Sequence, residues 1–119
     1  MRVTSDFWVK AYIRQCATQD IPAVVVRRGA EEAGAIYVKV NRLDGTADLF
    51  TPAPQAFFDD GDDLDRKFDH LSDLTAEADI DARLQKEHQF DPDIWVVEAE
   101  DRQGRHFLQL PGVEKSSPF

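Results

Sequence analysis

The dipeptide Asp44-Gly45 constrains this chain most, because it separates two segments that both alternate in the manner of strands. Before it, Ile36, Val38 and Val40 alternate with Tyr37, Lys39 and Asn41; after it, residues 47–51 read Ala-Asp-Leu-Phe-Thr. Asp-Gly accepts the left-handed backbone of a tight hairpin, so the two segments are expected to pair antiparallel. A two-residue turn pairs Leu43 with Thr46, hence Val40 with Leu49 and Lys39 with Phe50. Side chains alternate with a period of two along a strand. That register therefore puts Val38, Val40 and Leu49 on one face and Tyr37, Lys39 and Phe50 on the other.

The hairpin is flanked by further readable elements. Phe7, Trp8, Ala11, Tyr12 and Cys16 recur at helical steps behind the capping residues Thr4 and Ser5, and Pro22 bounds the helix. Residues 23–28, rich in valine and closed by Gly29, read as a strand that is central at its start. Pro52 and Pro54 end the return strand of the hairpin. Residues 55–74 interleave Phe57, Phe58, Leu64, Phe68 and Leu71 with aspartates, a packed loop with a short strand around 66–71. A second helix opens at Thr75-Ala76-Glu77 with Ala76, Ile80, Leu84 and Ala82 on its apolar side, and ends near His88 or Gln89, before Asp91-Pro92. Residues 94–99 are apolar on both sides, hence a central strand. Asp101-Arg102-Gln103-Gly104 suits a turn, with 106–110 as the partner strand.

The expected fold is α+β, in the order α-β-β-β-(irregular)-α-β-β. Its mainly antiparallel sheet of about five strands carries two helices packed on one face. Residues 1–112 form the single domain and 113–119 a frayed tail.

Composition narrows the function classes. The net charge is −9, with seven Lys/Arg against six Asp/Glu in residues 1–50 and seven against seventeen in residues 51–119. An acidic surface repels phosphate backbones and anionic lipid, so nucleic acid is an unlikely partner and a membrane surface is not expected. No apolar stretch approaches the roughly 20 residues needed to cross a bilayer. The N-terminal residues form no signal segment, so the expected location is cytoplasmic. Cys16, the sole cysteine, forms no intrachain disulfide and reads as a buried, inert thiol.

Several segments together resemble a known family. They are Ser5-Asp6-Phe7-Trp8-Val9, Arg28-Gly29 with Glu32-Ala33-Gly34-Ala35, Tyr37-Val38-Lys39-Val40 and Pro52-Ala53-Pro54. Glu77-Ala78-Asp79-Ile80-Asp81-Ala82 and Phe90-Asp91-Pro92-Asp93-Ile94-Trp95-Val96-Val97-Glu98 follow. In this order they resemble DUF1491, a bacterial domain-of-unknown-function family of similar length. The resemblance spans nearly the whole chain and implies one domain. It implies no activity and assigns no residue a role.

The candidate sites are few. Arg27 and Arg28 beside Gly29 and Gly34 could present guanidinium and backbone N–H groups to a small anion, against the plain reading of a loop with charged strand ends. Glu100 opposite His106 would place a carboxylate beside an imidazole, as acid–base equipment or as an ordinary cross-strand pair. Tyr37, Lys39 and Phe50 would form an interaction face if two helices leave one side of the sheet bare. No metal ligand set is expected, because neither the aspartates of 59–65 nor His70, His88 and His106 have ligand spacing. No cofactor is implied. The expected function is a non-catalytic interaction or accessory module, self-associating or bound to another protein, with a small-anion-binding enzyme or regulator as the alternative. Trp8 and Trp95 read as core.

Overall fold

The computed structural model describes residues 3–53 and 66–110, and all of the following concerns these. Helix α1 spans Ser5–Thr18. The Thr4 hydroxyl accepts from the Phe7 N–H at 3.1 Å, the expected cap on the first turn. Strands β1 (Ala23–Arg27), β2 (Ile36–Asn41), β3 (Thr46–Pro52) and β4 (Phe68–Ala76) follow, then helix α2 (Glu77–Phe90) and strand β5 (Trp95–Glu100). The five strands form one sheet in the order β1-β5-β2-β3-β4. Pairing is antiparallel throughout, except that β2 and β5 run parallel. The α+β class and the mostly antiparallel sheet match the sequence reading.

The hairpin register differs from expectation by one residue. Lys39 pairs with Leu49 and Val38 with Phe50, while the Arg42 N–H donates to the Thr46 carbonyl at 3.0 Å. Leu43 joins Asp44 and Gly45 in the loop and takes a left-handed backbone, φ 64°. Its N–H donates to the Asn41 side chain at 2.8 Å, and Asp44 accepts from the backbone and hydroxyl of Thr46. These local bonds support a three-residue loop, which the dipeptide signal alone did not reveal. The one-residue slip exchanges the faces of Leu49 and Phe50.

The helices lie on opposite faces of the sheet, not on one. From α1, Val9, Tyr12 and Cys16 pack against Val38, Val40, Phe50, Trp95, Val97 and Ala99. From α2, Ile80 and Leu84 pack against Ala47, Leu49, Ile94 and Val96, with Tyr37 beside them. Consecutive residues of one strand point to opposite faces, so Trp95 and Val96 serve different cores. The physical reason is β5, which is apolar on both sides and central, with β1 on one flank and β2 on the other. Each side of such a strand needs its own cover.

Four other expectations change. β1 is an edge strand, not a central one: its valine run is exposed, and only β5 pairs with it. Residues 106–110 form no strand with β5, whose two neighbours are already β1 and β2; Phe107 takes a left-handed φ of 56°, Gln109 bridges to Lys67, and Phe107, Leu108 and Leu110 pack against the α1-side core. The strand anticipated around 66–71 is instead the long β4, reaching Ala76. On α1 the buried stripe is Val9, Tyr12 and Cys16, whereas Phe7 is exposed. Phe57, Phe58, the acidic run 59–65 and the tail 113–119 lie outside the described residues.

Candidate functional site

The edge strand carries the first candidate group. Arg27 and Arg28 are consecutive, and their side chains go to different helices. The Arg27 guanidinium lies 3.3 Å from His88 Nε2 on α2. Arg28 lies over the Trp95 ring, 5.1 Å from its centroid, and 3.3 Å from the Asp6 carboxylate on α1. The structure does not bring the two guanidinium groups to a common point. Gly29 and Gly34 have a packing explanation: a Cβ on either would meet the Asp93 carbonyl oxygen. That carbonyl accepts from Ala30 N–H at 2.9 Å, and the Gly34 carbonyl accepts from the buried Ser5 hydroxyl at 2.6 Å. The glycines let the 29–34 loop close on the backbone ahead of β5.

The face expected to be bare is covered by α2. Lys39 is only 3% exposed, and its ammonium donates to Glu77 Oε2 at 2.8 Å and Asp81 Oδ1 at 2.7 Å, with Glu98 at 3.4 Å. Burial works against that charge, but the hydrogen bonds from Asp81 and Glu77 and the field of Glu98 outweigh it and raise the Lys39 pKa. An ammonium so held is protonated and no nucleophile. Tyr37 donates to Glu87 at 3.3 Å on the same side. Phe50 is on the opposite face, so it does not join Tyr37 and Lys39.

That opposite face holds a group of polar residues invisible to sequence spacing. Asp48, 1% exposed, accepts from Arg42 Nε at 2.8 Å and from the Leu74 N–H at 2.8 Å. Across the ladder, Ala47 pairs with Thr75 and Leu49 with Ser72, so Asp48 faces the two residues Asp73 and Leu74. This is a bulge, and Leu74 takes an uncommon left-handed φ of 48° within it. The bulge delivers Asp73 toward Arg42, 3.7 Å away, and toward His70 Nε2, 3.8 Å away. Arg42 also donates to the Arg102 carbonyl at 3.2 Å. One ligand atom from each of Asp48, His70 and Asp73 can be chosen so that all lie within 4.8 Å of one another.

His106 borders the same group. Phe50 sits between two imidazoles: His70 stacks on it at 4.5 Å and His106 tilts against it at 4.6 Å. Of the three histidines, these two are thus brought near and His88 is not. His106 does not face Glu100 as a cross-strand partner. Its Nδ1 accepts from the Leu108 N–H at 2.9 Å, while Glu100 is exposed. Burial lowers the His106 pKa, the neighbouring His70 lowers it further and Asp48 opposes them. Asp101 instead binds Arg105, accepting from its backbone at 2.7 Å and its guanidinium at 3.0 Å. Cys16 is fully buried, and burial pushes its thiol above the ordinary range.

The family described as "Protein of unknown function (DUF1491)" matches residues 3–109. A crystal structure of a DUF1491 family protein from Caulobacter crescentus CB15 is 40% identical, covering 94% of this chain and 100% of that one, with a TM-score of 0.76. A solution structure of a protein from A. tumefaciens is 37% identical over 98% of this chain and 100% of that one, with a TM-score of 0.81. No curated protein matches. Among the described residues no helix is long and apolar enough to cross a membrane.

Proposed function

Given that the chain belongs to the DUF1491 family, whose description assigns no activity, we propose that it is a non-catalytic interaction module that docks through the free edge of β1 onto a second copy of itself. The observation that carries this is exposure: Val24, Val25 and Val26 are 58%, 40% and 57% exposed on a strand whose outer side pairs with nothing among the described residues. An unpaired edge rich in β-branched residues is a template for another strand.

Charge supports a copy of the same chain as the partner. An antiparallel copy centred on Val25 sets Arg27 of each strand against Ala23 of the other. The β5 neighbours of Ala23 and Val24 are Ala99 and Glu98, with Glu100 beyond. The basic end of each edge thereby meets the acidic end of the other. Two-fold pairing of this kind closes on itself and makes one sheet from two. The buried thiol of Cys16 suits a cytoplasmic setting for such an assembly.

Sedimentation velocity across a concentration series tests the proposal. The unaltered chain is expected to dimerise, and the double variant Val24→Lys, Val26→Lys to remain a monomer with an unchanged melting curve, since exposed substitutions shift stability by only about 0.5 kcal/mol. A chain that stays monomeric at every concentration removes the homodimer.

A further inference from the structure

We propose that Asp48, His70 and Asp73 form a binding site for a divalent transition-metal ion such as zinc. This inference concerns the α1 side of β3 and β4 and is independent of how β1 docks.

The donor set matches the chemistry. Imidazole and carboxylate are the ligands that zinc and its neighbours take, and three protein ligands with outward positions left to water is a familiar arrangement. The three donor atoms already lie within 4.8 Å of one another. Metal–ligand bonds of about 2.0–2.2 Å put ligand atoms up to roughly 4 Å apart, so modest side-chain rotation closes the set. Two of the donors are oriented by other bonds. Asp48 is fixed by the Leu74 N–H and the Arg42 guanidinium, each taking one lone pair and leaving others for an ion. His70 is held flat against Phe50. Asp73, 60% exposed, is the outer carboxylate, whose side-chain rotation completes the set.

Charge points to a cation. Asp48 and Asp73 against the single guanidinium of Arg42 leave one formal negative charge over. Arg42 holds Asp48 tightly, at 2.8 Å, but Asp73 loosely, at 3.7 Å. An entering ion takes Asp73 from Arg42 while the Arg42–Asp48 and Arg42–Arg102 bonds persist. When the metal is absent the guanidinium offsets one of the two carboxylates and hydrogen-bonds the buried one, Asp48.

The bulge in β4 supplies the independent geometric argument. Without two residues facing Asp48, Asp73 would be paired in the ladder and directed by the strand's alternation. The bulge, pinned by Asp48 itself, re-aims it into the same space as His70.

The test uses the full chain and zinc chloride as the probe in isothermal titration, with cobalt absorption as a second readout. One equivalent is expected to bind saturably. His70→Ala and, separately, Asp73→Asn are expected to weaken binding by at least about 10-fold, and His88→Ala to leave it unchanged. Asp73→Asn keeps the proposal testable should His70→Ala disturb the Phe50 stack. Absence of saturable binding by the unaltered chain overturns the site. So does undiminished binding by Asp73→Asn, or an equal loss in His88→Ala.

Discussion

The two faces of the sheet solve the same packing problem in different materials. Beneath α1 the contacts are aromatic and apolar, and the polar residues of that face gather away from the helix between β3 and β4: Trp8 stacks on Tyr12 at 5.2 Å and tilts against Phe68, with Trp95 and Phe50 fully buried beneath. On the α2 side Ile80 and Leu84 meet Leu49 and Val96, but the helix is also tied down by Lys39 and its three carboxylates. Asn41 joins that network, donating to Glu77 and Glu98 at 3.1 Å. Consecutive β2 residues, Val38 and Lys39, belong one to each regime. A strand can therefore be buried on both sides while only one side is written in hydrophobic residues. A buried cation is tolerated where enough acceptors converge on it.

The contrast can be broken by mutation. The largest effect should come from Trp95→Ala on the α1 side. It empties a large volume and removes the 2.7 Å bond from the indole N–H to the Ala30 carbonyl, so a loss of about 3–5 kcal/mol is expected in chemical denaturation. An unchanged denaturation midpoint would show that the aromatic face is not the main store of stability. Lys39→Met on the α2 side should cost less. Its removal leaves carboxylates facing one another, but Asp81 is 58% and Glu77 35% exposed, and water relieves them. About 1–2 kcal/mol is expected by the same measurement. A stabilised variant would mean that α2 is held by Ile80 and Leu84 alone.

The most graded effect is in pH, where the two faces should fail at opposite ends. His106, on the α1 side, has a folded pKa below its ordinary 6.5. The native state thus favours the neutral ring. Stability is complete above the unfolded value and declines as pH falls toward the folded one. Lys39 has a folded pKa above its ordinary 10.5. Its contribution is complete below that value and is lost as pH rises through the folded one. Denaturation midpoints should show an acid limb that flattens in His106→Leu and an alkaline limb that flattens in Lys39→Met. Limbs that ignore both substitutions would separate the pH response from these faces.

Local signals carried much of the fold, and failures arose where a distant partner decided. Thr4 capping, the Asp44-Gly45 hairpin, the second helix and the central position of β5 all follow from neighbouring residues. The hairpin register did not, because Leu43 adopts a left-handed backbone that leucine rarely takes. That single residue sends Phe50 to the histidine side and Leu49 to α2. The valines of β1 read as central because composition cannot distinguish a strand flanked on both sides from one left at the margin. β4 was obscured by its bulges, which interrupt alternation with Leu71, Asp73 and Leu74. The Asp48–His70–Asp73 group depends on the hairpin register and on that bulge together, so no spacing rule could have found it. What spacing did offer was three histidines, of which tertiary structure joins two.

The sheet order also dictates how this chain can assemble. Among the described residues β5 is the last strand in sequence and yet lies between β1 and β2, with Ala23 laddered to Ala99 and Ile36 to Trp95. Until β5 arrives, β1 has no strand to pair with among the described residues, and β2 offers one open side beside the β2–β3–β4 meander. A chain in which β5 has not yet docked therefore holds a vacant slot flanked by unpaired backbone N–H and C=O groups, the kind of edge most prone to capture a strand from another molecule. Closing that slot joins residues far apart in sequence, which places folding among the slower, topology-limited cases. The central strand is thus both the keystone of the native sheet and the step at which aggregation competes with completion.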